Sequence, residues 1–412
     1  MRRQLEECDA IQGVQQALTT FEGGWGGLGT SLLAEMQEEC RNRPITCFGL
    51  LRAATARAAP GCRAPSMGYG PRGGGSGGGG GRARLAVNLA LSLCGLQEAC
   101  RLSCILDEEA CASVSQDMVV DPHKPYHTSA VLASTIDAVT SPIRFSCMGM
   151  DAWASGGGPR GWEVGGGGGQ HPQGWGGGPP CLVGMKFASA FTWIPFPIPR
   201  ASVSQLRETL LQSAHQGGTA YLGPSSGRRK SLPGSRGMGV GAGAGLGQVV
   251  MSPRVFSRLL VARGLGCPVD DQVSLMDEVF LAQPGVGAGA SVGIATPLPL
   301  PLSFPMLFRD TVGPLGESPL LLSGQWGGGA AGGKGFGGGG AGHNCRVMCK
   351  QVSMLAGVER SSRLSTFFDE VSNGLDLSSG SVLLELEKNG LHRDDAWETK
   401  EALANLTSTY SQ

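Results

Sequence analysis

Residues 7–51 read ECDAIQGVQQALTTFEGGWGGLGTSLLAEMQEECRNRPITCFGLL, and the fold is decided on how this stretch is divided. Leu5, Cys8, Ile11, Val14, Leu18 and Phe21 recur at helical spacing, which predicts a first helix with one buried stripe. Gly23, Gly24, Trp25, Gly26 and Gly27 follow; glycine is so poor a helix former that they read as a loop. Thr30 or Ser31 is then the expected cap of a second helix, whose apolar face is Leu28, Leu32 and Met36. Arg41 to Pro44 end that helix, and Ile45 to Leu51 is apolar enough to be a core strand. A glycine loop opening a helix gathers backbone N–H groups at the positive end of the helix dipole, so Gly23, Gly24, Gly26 and Gly27 are candidate anion contacts.

The flanks of the loop are more specific. CDAIQGVQ before it and LLAEMQEEC after it resemble tubulin, where CDSLQGFQ leads into GGGTGSG and a helix ending in REEY. The loop departs from that pattern. Phe21 and Glu22 stand for its first two glycines, Gly24 for its threonine and Trp25 for its fourth glycine. An acidic residue followed by Gly, an aromatic and Gly resembles the tubulin-like Misato family, proteins of mitochondrial distribution and morphology. The resemblance implies a phosphate cradle plugged by the Trp25 indole and the Glu22 carboxylate.

Composition bounds the function. The chain has 412 residues with 33 basic and 33 acidic side chains, and zero net charge argues against an electrostatic nucleic-acid binder. The 69 glycines are concentrated in tracts that cannot join a core. Arg72-Gly73-Gly74 lacks interleaved aromatics and reads as solvated linker. An odd 13 cysteines without a secretory signal read as reduced thiols. No apolar stretch is long enough to predict a membrane span.

Downstream, Leu89, Leu93, Leu96 and Cys100 predict an amphipathic helix. Cys94, Cys100, Cys104 and Cys111 lack the spacing of zinc sites, as does the pair Cys345 and Cys349. His123 and His127 flank Pro125 and read as a loop. Val131, Leu132, Ile136 and Val139 predict a buried helix stopped by Pro142, with a strand starting at Ile143. Phe187 to Ile194 predicts a strand, followed by an extended edge segment at Pro195, Pro197 and Pro199. Leu364, Phe367, Phe368 and Val371, then Val382, Leu383, Leu386 and Leu391, form two helical stripes. A last helix is expected behind a capping box from Asp395 to Glu398, with Trp397, Leu403, Leu406 and Tyr410 on its apolar side.

These blocks keep the order they have in tubulin. Asp107-Glu108-Glu109-Ala110 resembles its DNEA, with Glu108 in place of a guanine-contacting asparagine, and Tyr126 lies within one residue of its base-stacking tyrosine. Leu85 replaces its ribose-binding glutamate, and a leucine cannot make that hydrogen bond. Asp151, beside a glycine tract, is too loosely held to be assigned catalysis.

The resemblance therefore implies an α/β chain with a partial tubulin/FtsZ-like fold: an incomplete doubly wound nucleotide-binding-type domain and a second mixed α+β domain. The expected divisions are a remnant GTPase-type domain at 1–52, a linker at 53–84, a central helix region at 85–154 and a glycine insertion at 155–180. A second domain at 181–323 holds an insertion at 217–247, and a linker at 324–342 leads to a helical segment at 343–412. The tubulin units before residue 1 are missing, which reads as a fragment of a longer protein. The expected function is a scaffold in mitochondrial organisation and inheritance, peripheral to the organelle or cytoplasmic, without turnover, cofactor or metal. Its expected partners are proteins, cytoskeletal or of the mitochondrial surface, and not nucleic acid. The alternative is a GTP-binding, polymer-forming relative using Gly23 to Gly27, Glu108 and Tyr126.

Overall fold

The computed structural model describes residues 13–18, 21, 24–40, 43–51, 78–108, 110–113, 117–122, 124–145, 185–196, 207, 220–221, 253–281, 286–301, 304–309, 312–313, 316, 349–375, 377, 380–388 and 390–412. The insertions expected at 155–180 and 324–342 fall outside these, as do Glu22, Gly23, His123, Asp151, Pro197, Pro199 and Cys345.

The protein is a mixed α/β structure around a parallel-rich sheet. In chain order its elements are β1 (Val14–Leu18), α1 (Gly24–Glu39), β2 (Ile45–Leu51), α2 (Gly78–Ala99), β3 (Leu102–Asp107), α3 (Pro125–Arg144), β4 (Phe187–Trp193) and β5 (Ala220–Tyr221). Then come β6 (Val255–Arg263), α4 (Val269–Met276), which continues as a π turn over Asp277–Leu281, β7 (Val286–Ile294), β8 (Leu298–Pro299), β9 (Gln351–Val352) and β10 (Met354–Ser361). Three helices close the chain: α5 (Arg363–Gly374), α6 (Gly380–Lys388) and α7 (Arg393–Ser411).

The sheet order is β1-β2-β3-β4-β10-β6-β7, with β5 on β4. Strands β1 to β4 are mutually parallel, β10 runs antiparallel between β4 and β6, and β7 is parallel to β6. The strands on either side of the division expected between the two domains thus share one hydrogen-bonded sheet. Helices cover both faces, which is why β2, β3 and β4 are buried along nearly their whole length rather than on alternate residues. On one face α1, α2, α5, α6 and α7 meet Ile45, Cys47, Ile105 and Phe187. On the other, α3 meets Leu106, Ala188, Val261 and Val358 through Val131, Leu132 and Val139.

Four expectations are corrected. Val14–Leu18 is a strand, paired in parallel with Ile45–Gly49, and not the end of a helix. Short apolar runs fit both periods, and here sheet pairing decides. Gly24, Gly26 and Gly27 are not a loop: α1 begins at Gly24, and Thr30 is inside it, donating to the Gly27 carbonyl at 2.9 Å. The buried face of α1 is Gly26, Gly29 and Leu33, while Leu28 and Leu32 are exposed. Finally, α3 runs through Pro142 to Arg144, so Ile143 starts no strand, and His127 is helical.

Smaller shifts follow the same logic. Helix α2 starts at Gly78, ahead of the expected Leu85, and Ala220–Tyr221 forms a strand within the expected 217–247 insertion. The box at α7 is set three residues early, since the His392 N–H donates to Asp395 at 2.8 Å, and Trp397 is half-exposed. The strand ending at Trp193 is central, between β3 and β10.

Candidate functional site

The carboxyl ends of parallel strands are where open α/β sheets hold ligands, and the topology brings the described site candidates to that edge. β1 ends at Leu18, and Phe21 donates its N–H to the Leu50 carbonyl at 3.1 Å, carrying the chain over the end of β2. α1 starts there with Gly24, Trp25, Gly26 and Gly27. β2 and β3 end side by side, Leu51 opposite Asp107, and Glu108 donates its N–H to the Leu51 carbonyl at 3.1 Å. Tyr126 lies in the first turn of α3, exposed. Gly23 is outside the described residues.

The start of α1 is built by close packing. A Cβ on Gly26 would stand 2.2 Å from the Ser92 Oγ and 2.7 Å from the Phe21 carbonyl oxygen. Ser92 of α2 donates to that same carbonyl at 3.4 Å. One turn further on, a Cβ on Gly95 would meet the Thr30 methyl at 2.9 Å. Gly24 and Gly27, by contrast, have open space where a side chain would go. Gly26 is therefore a packing glycine between two helices, and the other two border solvent.

The plug is not the indole expected from the sequence. Trp25 is 65% exposed and fills no cleft. Phe21 is fully buried instead, its ring over β2 so closely that a Cβ on Gly49 would fall 1.9 Å from it. The sequence marks Phe21 as one member of a buried helical stripe and as the loss of a loop glycine, but not as a ring packed over β2. The signal that pairs it with Gly49 is a glycine inside an otherwise apolar strand, a mark of close approach.

Other polar groups near this edge bond within the fold. Asp107 is buried at the end of β3, and Cys111 donates its thiol to the Asp107 carbonyl at 3.7 Å. Burial, with Asp107 and Glu108 adding, holds the Cys111 thiol well above its usual range. The Asp121 N–H donates to His127 Nδ1 at 3.3 Å, which fixes the entry to α3.

The cysteines grouped in the sequence are separated by the fold. Cys94 donates to the Thr399 carbonyl at 3.9 Å, and Cys100 and Cys104 lie on opposite faces of the sheet. Burial pushes Cys104 up to about 12 and Cys94 up to about 11. Cys100 is pushed down, chiefly by the hydrogen bond from Cys47, with Ser103 and Lys186 assisting against burial. Among the described residues no group of three or more His, Cys, Asp or Glu is placed to hold a metal ion.

No protein-family model matches the chain. A protein of Gibberella zeae, Protein DML1, is 26% identical over 147 residues, which is 34% of this chain and 24% of that protein. The chain thus matches only about a quarter of its relative's length, and over that part it is DML1-like.

Proposed function

We propose that this chain acts as a tubulin-like scaffold of the Misato type, serving mitochondrial organisation, distribution and inheritance through protein contacts and without turning over nucleotide. The observation that carries the proposal is Phe21, buried against Gly49 at the start of α1. A nucleotide cradle there calls for glycine and bare backbone so that phosphate can approach, and this chain instead carries an aromatic side chain that anchors the segment in the core over β2. Glu108 and Tyr126 sit at the same edge, and Leu85, which by the tubulin resemblance takes the position of a ribose-binding glutamate, cannot make that hydrogen bond. The mitochondrial part rests on the likeness to Protein DML1 and on the Misato resemblance of the loop. The association with the organelle is proposed to run through a partner; among the described residues no helix is long and apolar enough to cross a membrane.

Two measurements test this. Titration of the 412-residue chain with magnesium–GTP is expected to show no saturable binding below about 1 mM. Micromolar binding overturns the proposal in favour of a GTP-binding, polymer-forming relative. In cells, a tagged chain is expected on mitochondria, with their distribution disturbed when it is lost. A diffuse tag and undisturbed organelles remove the mitochondrial part.

A further inference from the structure

Two thiols meet in the core at the amino ends of the parallel strands. Cys47 lies on β2 and Cys100 at the corner between α2 and β3, and both are buried among the residues that link the sheet to α1, α2, α5, α6 and α7. The strand register brings them together. Cys47 stands opposite Ser103 in the parallel β2–β3 ladder, and the Arg101 N–H donates to the Ile45 carbonyl at 2.8 Å. The Cys47 thiol donates a hydrogen bond to the Cys100 sulfur, and the Ser103 hydroxyl supports the same sulfur. Lys186 brings a cation beside it: its ammonium donates to the Gln97 carbonyl at 2.6 Å, in the last turn of α2 that Cys100 follows. The bond from Cys47, with Ser103 and Lys186, holds the Cys100 thiol below its usual range against burial, and the same bond together with burial holds Cys47 well above its own. Neighbouring cysteines are placed differently: Cys94 and Cys111 donate to main-chain carbonyls, and Cys104 faces the other side of the sheet.

We infer that Cys47 and Cys100 form a reversible redox pair, which a hydroperoxide closes to a disulfide between β2 and the α2–β3 corner and a thiol reductant reopens. The Cys100 thiolate attacks one oxygen of hydrogen peroxide, the O–O bond breaks, and a sulfenic acid forms while the other oxygen takes up a proton and leaves as water. The Cys47 sulfur then attacks the sulfenic sulfur. The S–S bond forms, and the hydroxyl departs with the Cys47 proton as a second water. The two thiols give up two electrons and two protons, and the peroxide accepts both. Sulfurs already in hydrogen-bond contact need to close by only about 1–2 Å to reach disulfide length. Glu98 and Arg101, on either side of Cys100, are exposed, so opening of the last turn of α2 admits a small oxidant. The bridge closes residues 48–99 into a loop that includes the long connection 52–77 between β2 and α2. A cross-link over so long a loop removes much of the freedom of the unfolded chain, so the oxidised form is the harder to unfold. The inference stands apart from the scaffold reading, and its test involves neither nucleotide nor mitochondria.

The full chain, reduced and then freed of reductant, is treated with a modest excess of hydrogen peroxide, alkylated, and mapped as peptides without reduction. The expected product joins the Cys47 peptide to the Cys100 peptide, lighter by the two hydrogens lost and released by dithiothreitol. The thermal midpoint is expected to rise by about 5–10 °C on oxidation and to fall back on reduction. Cys47→Ala and Cys100→Ala are each expected to lose both the bridge and the shift, their melts in reductant showing that they fold. Cys94→Ser, on the same helix as the Cys100 corner, is expected to keep both. Where an alanine variant does not fold, the map of the unaltered chain and that of Cys94→Ser decide. Free thiols at both positions after peroxide overturn the inference, as does a sulfinic acid at Cys100 in place of the bridge. So does a bridge made through Cys94, or one between Cys47 and Cys100 that leaves the midpoint unmoved.

Discussion

Glycine in this chain has two opposite uses within four residues. At Gly26 the missing side chain lets α1 sit on Ser92 and the Phe21 carbonyl, and any Cβ meets the latter, which is backbone and cannot swing away. Gly26→Ala is therefore expected to destabilise the protein by about 1–3 kcal/mol, in the range of core overpacking. Gly27 is exposed on the same helix with nothing within 4 Å of an added Cβ. Gly27→Ala is expected to stabilise by about 0.5–1 kcal/mol, because alanine loses less backbone freedom on entering a helix. Urea denaturation of the two variants reads both signs in one experiment. If the loop character read from the sequence were correct, with no helix at Gly26 and Gly27, neither substitution would separate them in this way.

Each misread element has a traceable cause. Val14, Leu18 and Phe21 fit a helix repeat, yet their segment is held by five parallel pairings to β2, and no local pattern records a partner thirty residues away. The glycines of α1 argued for a loop through intrinsic propensity, which tertiary packing against α2 overrides. The core strands β2 and β4 and the stripes of α2 and α5 were legible because burial on one or both faces writes itself into sequence. At the candidate site the chain order was legible and the occupant was not: the sequence pointed at Trp25, and the buried ring is Phe21. Pro142 was read as the end of α3, but the helix carries a repair. Proline cannot donate to the Ala138 carbonyl four residues back, and the Ser141 hydroxyl donates to it at 2.5 Å. The Arg144 guanidinium likewise donates to the Asp137 carbonyl at 2.7 Å. Ser141→Ala leaves the buried Ala138 carbonyl unsatisfied and is expected to cost about 1–3 kcal/mol in a thermal or urea melt. Ser141→Ala combined with Pro142→Ala restores a main-chain donor, and most of that loss is expected to be recovered.

At the scale of the whole molecule, the last helix closes what the first half of the chain begins. α7 packs on α2 and α5, and it delivers Tyr410 to the start of the central strand β4. There β10 no longer serves β4: their last pair is Ser189 with Glu359. The Tyr410 hydroxyl takes over the ladder two residues earlier, donating to the Phe187 carbonyl at 2.6 Å and accepting from the Phe187 N–H at 2.7 Å. Its ring is fully buried against Phe368 and Phe256, with centroids 5.5 and 6.3 Å away. Tyr410→Phe keeps the ring and strands both main-chain groups, so it is expected to cost about 2–4 kcal/mol. Removal of residues 393–412 goes further. It takes Leu403, Leu406 and Tyr410 out of the core that also holds Leu93, Ile105 and Phe187. Because that core draws on β2, β3 and β4 and on α1, α2, α5, α6 and α7, the loss is expected to spread through the sheet and not to stay local. The intact chain should then unfold with far-ultraviolet dichroism and tryptophan fluorescence in step, and the shortened chain should show a broad, non-coincident transition. A shortened chain that keeps the intact midpoint would place α7 outside the cooperative unit, and with it the role of Tyr410 as the clasp between the end of the chain and its central strand.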